Sequence, residues 1–211
     1  MRIMKVLFAA VCFFALLALA NAAPLQKGEH YDLISPPQPT DAPAGKIEVI
    51  EFFSYGCPHC FQFEPVINPW IKKLPSDVTF TRVPLAGGQW GASAKLFYTL
   101  EAMGVEEKLH GDVFTSIHSE KSLTGTDEAA MPGWAAKKGL DAKKFGDIYK
   151  SFAIQAKAQR AVQLAASHKV DGVPAIVVDG RYLVLNKSIK GWEDLLALTD
   201  QVIVMARTSK K

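Results

Sequence analysis

The sequence predicts an α/β fold interrupted by an all-helical block. Three observations carry that reading. Residues 47–85 alternate strand, helix and strand patterning. Residues 92–169 are rich in Ala, Lys and Leu and poor in β-branched runs. Residues 173–207 return to β patterning around an Asp-Gly pair and close on an amphipathic segment.

The first residues stand apart. Arg2 and Lys5 precede an apolar run from Val6 to Ala20, followed by Ala20-Asn21-Ala22. A basic start, a short apolar middle and an A-x-A site are the pattern of a secretory signal peptide, here residues 1–22. The run is short for a membrane span. Cys12 lies inside it, away from the cleavage point, so a lipid anchor is not expected. Cleavage removes Arg2 and Lys5, which reduces the 24 basic residues to 22 against 21 acidic ones. That near-neutral balance gives no reason to expect a nucleic-acid partner.

Residues 23–45 are polar and carry Pro36, Pro37, Pro39 and Pro43, an extended lead-in with a short edge strand near Tyr31–Ile34. Residues 47–53 are an apolar strand interrupted by Glu51. From Cys60 to Leu74 the spacing of Phe61, Val66, Ile67 and Trp70 is helical, with a kink expected at Pro65 and Pro69. Residues 78–85 alternate again as a strand. In the central block, Leu96, Leu100 and Met103 share one helical face, and Leu109, Val113, Phe114 and Ile117 share another. Thr126-Asp127-Glu128 is a helix start, and Asp141 can cap a helix reaching Phe152. Helix-forming residues continue from Ile154 to His168. Asp179-Gly180 lies between Ala175–Val178 and Arg181–Val184, a hairpin signal because both turn positions favour positive φ. Residues 192–207 form a closing helix. The order β–α–β, helices, β–β–α matches a thioredoxin fold with an inserted all-helical domain. The expected divisions are 23–90 and 169–211 for the two parts of the thioredoxin-like domain and 91–168 for the insertion.

The chemistry gathers at Ser54-Tyr55-Gly56-Cys57-Pro58-His59-Cys60, at a strand-to-helix turn. The free N–H groups and positive dipole end of a helix stabilise an anion, so a thiolate at Cys57 forms at lower pH than a free thiol. Pro58 suits the first turn, where its missing N–H costs nothing, and His59 adds positive charge. After leader cleavage Cys57 and Cys60 are the two remaining cysteines. A disulfide between them closes so short a loop that it stabilises the fold by only ~2 kcal/mol. A redox role therefore explains the pair better than a structural one. Zinc would need four ligands, and His30, His110, His118 and His168 are scattered without a second ligand pair, so no metal is expected. Those helical-block histidines read as ordinary helix or cap residues. Glu51, Glu64 and Arg82 read first as solvated surface charges. Glu51 is the exception, being flanked by Val49, Ile50, Phe52 and Phe53. If its strand is central it needs a buried partner, and Arg82 in the next strand is available. Pro174, in Gly172-Val173-Pro174, reads by itself as a loop end.

Glu51-Phe52-Phe53-Ser54, Cys57-Pro58-His59-Cys60, Gln62-Phe63-Glu64, Lys73-Leu74-Pro75 and Gly172-Val173-Pro174-Ala175 together resemble the DsbA family of exported thiol:disulfide oxidants. The resemblance implies a thioredoxin fold with a helical insertion and a periplasmic protein that donates the Cys57–Cys60 disulfide to newly exported proteins with free thiols. It implies reoxidation by a DsbB-like quinone-linked inner-membrane partner, a monomer, and no cofactor beyond the redox-active disulfide. Residue by residue, Cys57 is the exposed nucleophile and Cys60 the buried partner. His59 and Pro58 tune the pair. Pro174 is a cis-proline opposite the cysteines, with Val173 before it. Glu51 and Glu64 match the family's acidic residues near the site, and Arg82 stands where the family often has lysine. A depressed Cys57 pKa would make the reduced protein the more stable form near pH 7. The rival readings are a reductase or isomerase of the same fold, and a peptide-binding module with an inert cysteine pair.

Overall fold

The computed structural model describes residues 24–187 and 189–210; the leader 1–22 lies outside the described residues. Five strands form one sheet in the order β1-β5-β4-β2-β3. They are β1 (Tyr31–Leu33), β2 (Ile47–Phe53), β3 (Val78–Pro84), β4 (Ala175–Val178) and β5 (Tyr182–Val184). β2 runs parallel to β3 and antiparallel to β4. The helices are α1 (Pro58–Ile71), α2 (Gly91–Ala102), α3 (Glu106–His118), α4 (Met131–Lys137), α5 (Ala142–Tyr149), α6 (Phe152–Ser167) and α7 (Trp192–Ser209). This is the expected thioredoxin fold with a helical insertion, α2 to α6, between β3 and β4.

β2 has a neighbour on each side and is buried at all seven positions. Its apolar alternation feeds two cores. Ile50 and Phe52 pack with Leu96, Phe97 and Phe114 of the helical block. Ile47 and Val49 pack with Phe63 and Ile67 of α1 and with Val202 of α7 on the other face. A strand buried on both faces reads as a near-continuous apolar run, and Glu48 and Glu51 are therefore the anomalies of this sheet.

Several boundaries move. α1 starts at Pro58 and ends at Ile71, not at Leu74, and continues through Pro65 and Pro69. Thr126-Asp127-Glu128 does not open a helix. The Asp127 carboxylate instead accepts from the N–H groups of Ala129 and Ala130, a local turn that precedes α4. Pro132 stands in the first turn of α4, where proline is tolerated. Asp141 does cap α5, accepting from Lys144 N–H at 2.8 Å. That helix stops at Tyr149, because Ser151 caps a separate α6 by accepting from Ile154 N–H.

The β4–β5 turn has φ of +56° at Asp179 and +60° at Gly180, as the Asp-Gly signal requires. Gly180 has a second constraint, since a Cβ there would sit 2.3 Å from the Gln38 carbonyl oxygen. Gly139, at φ +82°, has open space around it. Gly139→Ala should therefore cost only the left-handed backbone penalty, about 1 kcal/mol. Gly180→Ala should cost about 2–3 kcal/mol, with the clash added. Urea melts of the two variants check the order; equal losses would mean the Gln38 contact yields freely.

Candidate active site

The turn Ser54–Cys57 leaves β2 and enters α1. Ser54 C=O accepts from Cys57 N–H at 3.0 Å, and Cys57 C=O accepts from Phe61 N–H at 3.1 Å, so Cys57 is the N-cap residue of α1. Gly56 is required here by close approach. A Cβ would lie 2.5 Å from the Trp90 ring. Pro58 occupies the first helical turn without loss, and both Pro58 and His59 are exposed.

The two sulfurs differ sharply. Cys57 and Cys60 are free thiols in this structure, with 9 % and 1 % of their surface accessible. Cys57 is thus less open than the sequence suggested, because the turn folds under the Val173–Pro174 loop. Its Sγ lies 3.4 Å from the Val173 carbonyl oxygen. The Cys57 thiol is held down to about 6 by the hydrogen bond from the Cys60 side chain. Backbone N–H groups of Cys60 and His59 and the charge of His59 assist, and burial opposes them. The same side-chain hydrogen bond, together with burial, pushes Cys60 far up. Helix N–H groups thus favour the anion at one sulfur only.

The Val173–Pro174 bond is cis. Beside it lies a cavity of about 210 Å³ lined by Gly172, Val173, Pro174, Leu185 and Leu195.

Glu51, Glu64 and Arg82 come together behind the pair: the solvated-charge reading fails for Glu64 and Arg82, and Glu51 is buried and paired with Arg82, the alternative its apolar neighbours raised. Glu51 is 1 % exposed on the central strand, directly opposite Arg82 in the β2–β3 register. Arg82 Nε donates to Glu51 Oε2 at 3.1 Å, and its Nη2 reaches Glu64 Oε1 at 3.3 Å and Asn68 Oδ1 at 2.8 Å. Burial pushes the Glu51 carboxyl up to about 7 against the pull of Arg82. Glu64 is also penalised by burial, yet His110, Arg82 and Asn68 hold it below its ordinary value. Two neighbouring carboxyls are thereby driven apart in proton affinity.

The sequence reading missed the histidines of α3. His110 is buried between Glu64 and the Tyr55 hydroxyl, with ring nitrogens 3.1 and 2.8 Å away. His118 Nε2 lies 2.8 Å from the Tyr55 carbonyl oxygen. A usable signal existed in the stripe Glu106, His110, Phe114, His118, spaced by four along one helix. His168 does end α6 as a cap residue.

Cysteines at the start of a helix, a facing proline and a thioredoxin-type sheet define a thiol:disulfide oxidoreductase. The comparisons agree. A family model described as a DSBA-like thioredoxin domain matches residues 48–197. The thiol:disulfide interchange protein DsbA of Pseudomonas aeruginosa is 45 % identical over 193 residues, covering 91 % of this chain and 90 % of the relative. That of Burkholderia cepacia is 40 % identical over 182 residues, covering 86 % and 85 %. The crystal structure of Pseudomonas aeruginosa DsbA superposes with a TM-score of 0.82 at 43 % identity, over 89 % of this chain and 97 % of that one. The chain belongs to the DsbA family.

The split between the sulfurs has a stability consequence. A lowered thiol pKa stabilises the reduced fold above the unfolded value, ordinarily 9.0, and the contribution disappears as pH falls through about 6. From those two values the gain is about 1 kcal/mol at pH 7 and about 3 kcal/mol at pH 8. The oxidised form lacks it and has ~2 kcal/mol from its short loop. The reduced form should therefore overtake the oxidised form between pH 7 and 8, somewhat above the sequence expectation, and trail it by the full ~2 kcal/mol of the short loop below about pH 5. Denaturant melts of both forms from pH 5 to 8.5 test this; a pH-independent difference would show that Cys57 is not a stabilised thiolate.

Proposed function

We propose that this protein works in the periplasm after removal of residues 1–22, donating the Cys57–Cys60 disulfide to exported proteins that carry free thiols. The observation that carries the reading is the opposed proton affinities of the two sulfurs, with Cys57 low and Cys60 high. A substrate thiolate attacks Cys57 Sγ, the Cys57–Cys60 bond breaks, and the electron pair leaves on Cys60. Cys60 holds a proton strongly and takes one up. Glu51, with a carboxyl pKa of about 7, is the donor within the buried cluster. A second substrate thiolate then attacks the substrate sulfur of the mixed disulfide and expels Cys57 as a thiolate. A low pKa makes Cys57 a good leaving group. The substrate dithiol has become a disulfide, and the enzyme disulfide a dithiol holding both electrons.

Val173 and Pro174 face Cys57 and offer an extended substrate backbone polar groups, in the manner of strand addition. Regeneration requires an external oxidant for the two electrons. We assign that role to a DsbB-like quinone-linked inner-membrane partner, with the protein acting as a monomer and its own disulfide as the sole redox group. Arg82 and Glu64 serve as the charged support of Glu51, and His59 as a cation beside the thiolate.

Cys60→Ser should accumulate mixed disulfides with reduced, unfolded substrate through Cys57, whereas Cys57→Ser should accumulate almost none. Non-reducing gels read the outcome, and equal trapping would overturn the assignment. Failure of the wild-type disulfide to oxidise a reduced polypeptide would favour the inert-pair reading, and a strongly reducing equilibrium with glutathione would favour a reductase. Glu51→Gln should flatten the rise or fall in exchange rate around pH 7 without abolishing exchange. Stopped-flow rates from pH 5 to 9 check it, and an unchanged profile would leave Glu51 with a structural role only.

A further inference from the structure

The helical block reaches the cysteine turn through Tyr55, which is fully buried two positions before Cys57. Its ring packs edge-on against Phe53 and Phe114. Two histidines of α3 meet its two polar ends. His118 Nε2 is 2.8 Å from the Tyr55 carbonyl oxygen, and the His118 ring stacks on Phe61 at 5.0 Å. His110 Nδ1 is 2.8 Å from the Tyr55 hydroxyl. The second nitrogen of His110 is 3.1 Å from Glu64 Oε1, which Arg82 also contacts on its way to Glu51. Hydrogen bonds therefore run Tyr55–His110–Glu64–Arg82–Glu51, from the turn that carries Cys57 to the acid on the central strand.

The charges around His110 decide its form. The groups that face it are Tyr55 from the turn, Glu64 from α1, Arg82 from β3 and Glu106 from its own helix, with Glu51 of β2 beyond Arg82, and Lys72 and Glu107 line the same cavity as His110 with opposite charges. Three carboxyls surround one guanidinium in a region largely closed to water. With Glu51 protonated, Arg82 leaves one negative charge uncompensated, and an imidazolium at His110 cancels it. Glu106 gives independent support. Its Oε1 is buried and lies 3.1 Å from His110 Nδ1, yet it accepts no well-formed hydrogen bond. Against a neutral ring whose Nδ1 bears a lone pair, that contact is repulsive. Against Nδ1–H it is an ion pair. Burial opposes charging His110, but Glu106 and Glu64 outweigh it and raise its pKa.

We infer that His110 is a positioning residue for thiol–disulfide exchange: as an imidazolium it fixes Glu64 and Arg82 and sets the proton affinity of Glu51, while its bond to Tyr55 ties that cluster to the cysteine turn. The insertion therefore contributes a cation to the chemistry as well as a cover over the sheet. The kinetic consequence rests on the proposed proton transfer by Glu51; the titration of Glu51 does not.

Two measurements on the reduced full-length protein test the inference. In the wild type, ¹⁵N NMR of His110 should show both ring nitrogens protonated at pH 7, and a neutral ring there would overturn it. In His110→Gln, which keeps polar contacts and removes the charge, the Glu51 carboxyl midpoint followed by ¹³C NMR should rise by about one pH unit. An unmoved midpoint in the folded variant would make His110 a packing residue and overturn the inference. Should His110→Gln fail to fold, the wild-type ring titration still decides. A raised midpoint, combined with an exchange profile that Glu51→Gln leaves unchanged, would support the positioning role while removing the proton-transfer role of Glu51.

Discussion

One anion organises this protein, the thiolate that Cys57 can carry at the N-terminus of α1. A helix start is electropositive because its first N–H groups lack intrahelical partners. Here the His59 and Cys60 N–H groups and the Cys60 side chain all converge on one sulfur. The rest of the local structure follows from keeping that sulfur in place. β2 must end where α1 begins, Gly56 must lack a side chain beneath Trp90, and Ser54 must bond back to Cys57 N–H. The second sulfur, one turn further in, must then hold its proton. A dithiol in which one member is stabilised as an anion and the other as a thiol gives up electrons reluctantly, so its disulfide takes them readily.

The proposed exchange at that asymmetric pair needs proton traffic, and the sheet carries an expensive feature that could supply it. A carboxyl on a central strand, surrounded by Val49, Ile50, Phe52 and Phe53, is destabilising unless paired. Arg82 pairs it in register across β2–β3. The pairing is incomplete in its effect, since Glu51 still titrates near neutrality. Replacing Glu51 and Arg82 by apolar residues of similar volume would be neutral or stabilising by the usual behaviour of buried pairs. Stability alone therefore does not account for the cluster. On the proposed mechanism, a carboxyl poised near 7 beside the redox pair does.

The fold was legible because its signals are local. The Asp179-Gly180 turn, the apolar run of β2 and the Cys-Pro-His-Cys segment each declare themselves within ten residues. The Glu51–Arg82 pairing was half legible: both strands could be read, but their register, and hence the contact, is set by packing. The accessibility of Cys57 was misjudged because the segment that covers it comes from Val173, over a hundred residues on. His110 and His118 were missed for the same reason. Their partners lie in Tyr55 and Glu64, and in sequence each histidine sits beside an apolar face that gives it an ordinary explanation. The Thr126–Glu128 error is of another kind. An acidic side chain that can cap a helix can equally close a turn, and Asp127 does the latter.

The helical insertion covers the sheet, but its contacts argue for more. A lid needs only apolar surface, and Leu96, Leu100, Val113 and Phe114 already provide it against β2. The stripe Glu106–His110–Phe114–His118 adds something that surface does not. It places one polar contact on each end of Tyr55 and one on Glu64. These contacts join three separate elements, the cysteine turn, α1 and the β2–β3 charge pair, into a single bonded unit. Changing the proton count at any one of them alters the electrostatic field at the others, because the cluster is poorly screened by water. The geometry of the cysteine turn and the protonation of the buried acids are thereby parts of one equilibrium, with the insertion holding both ends.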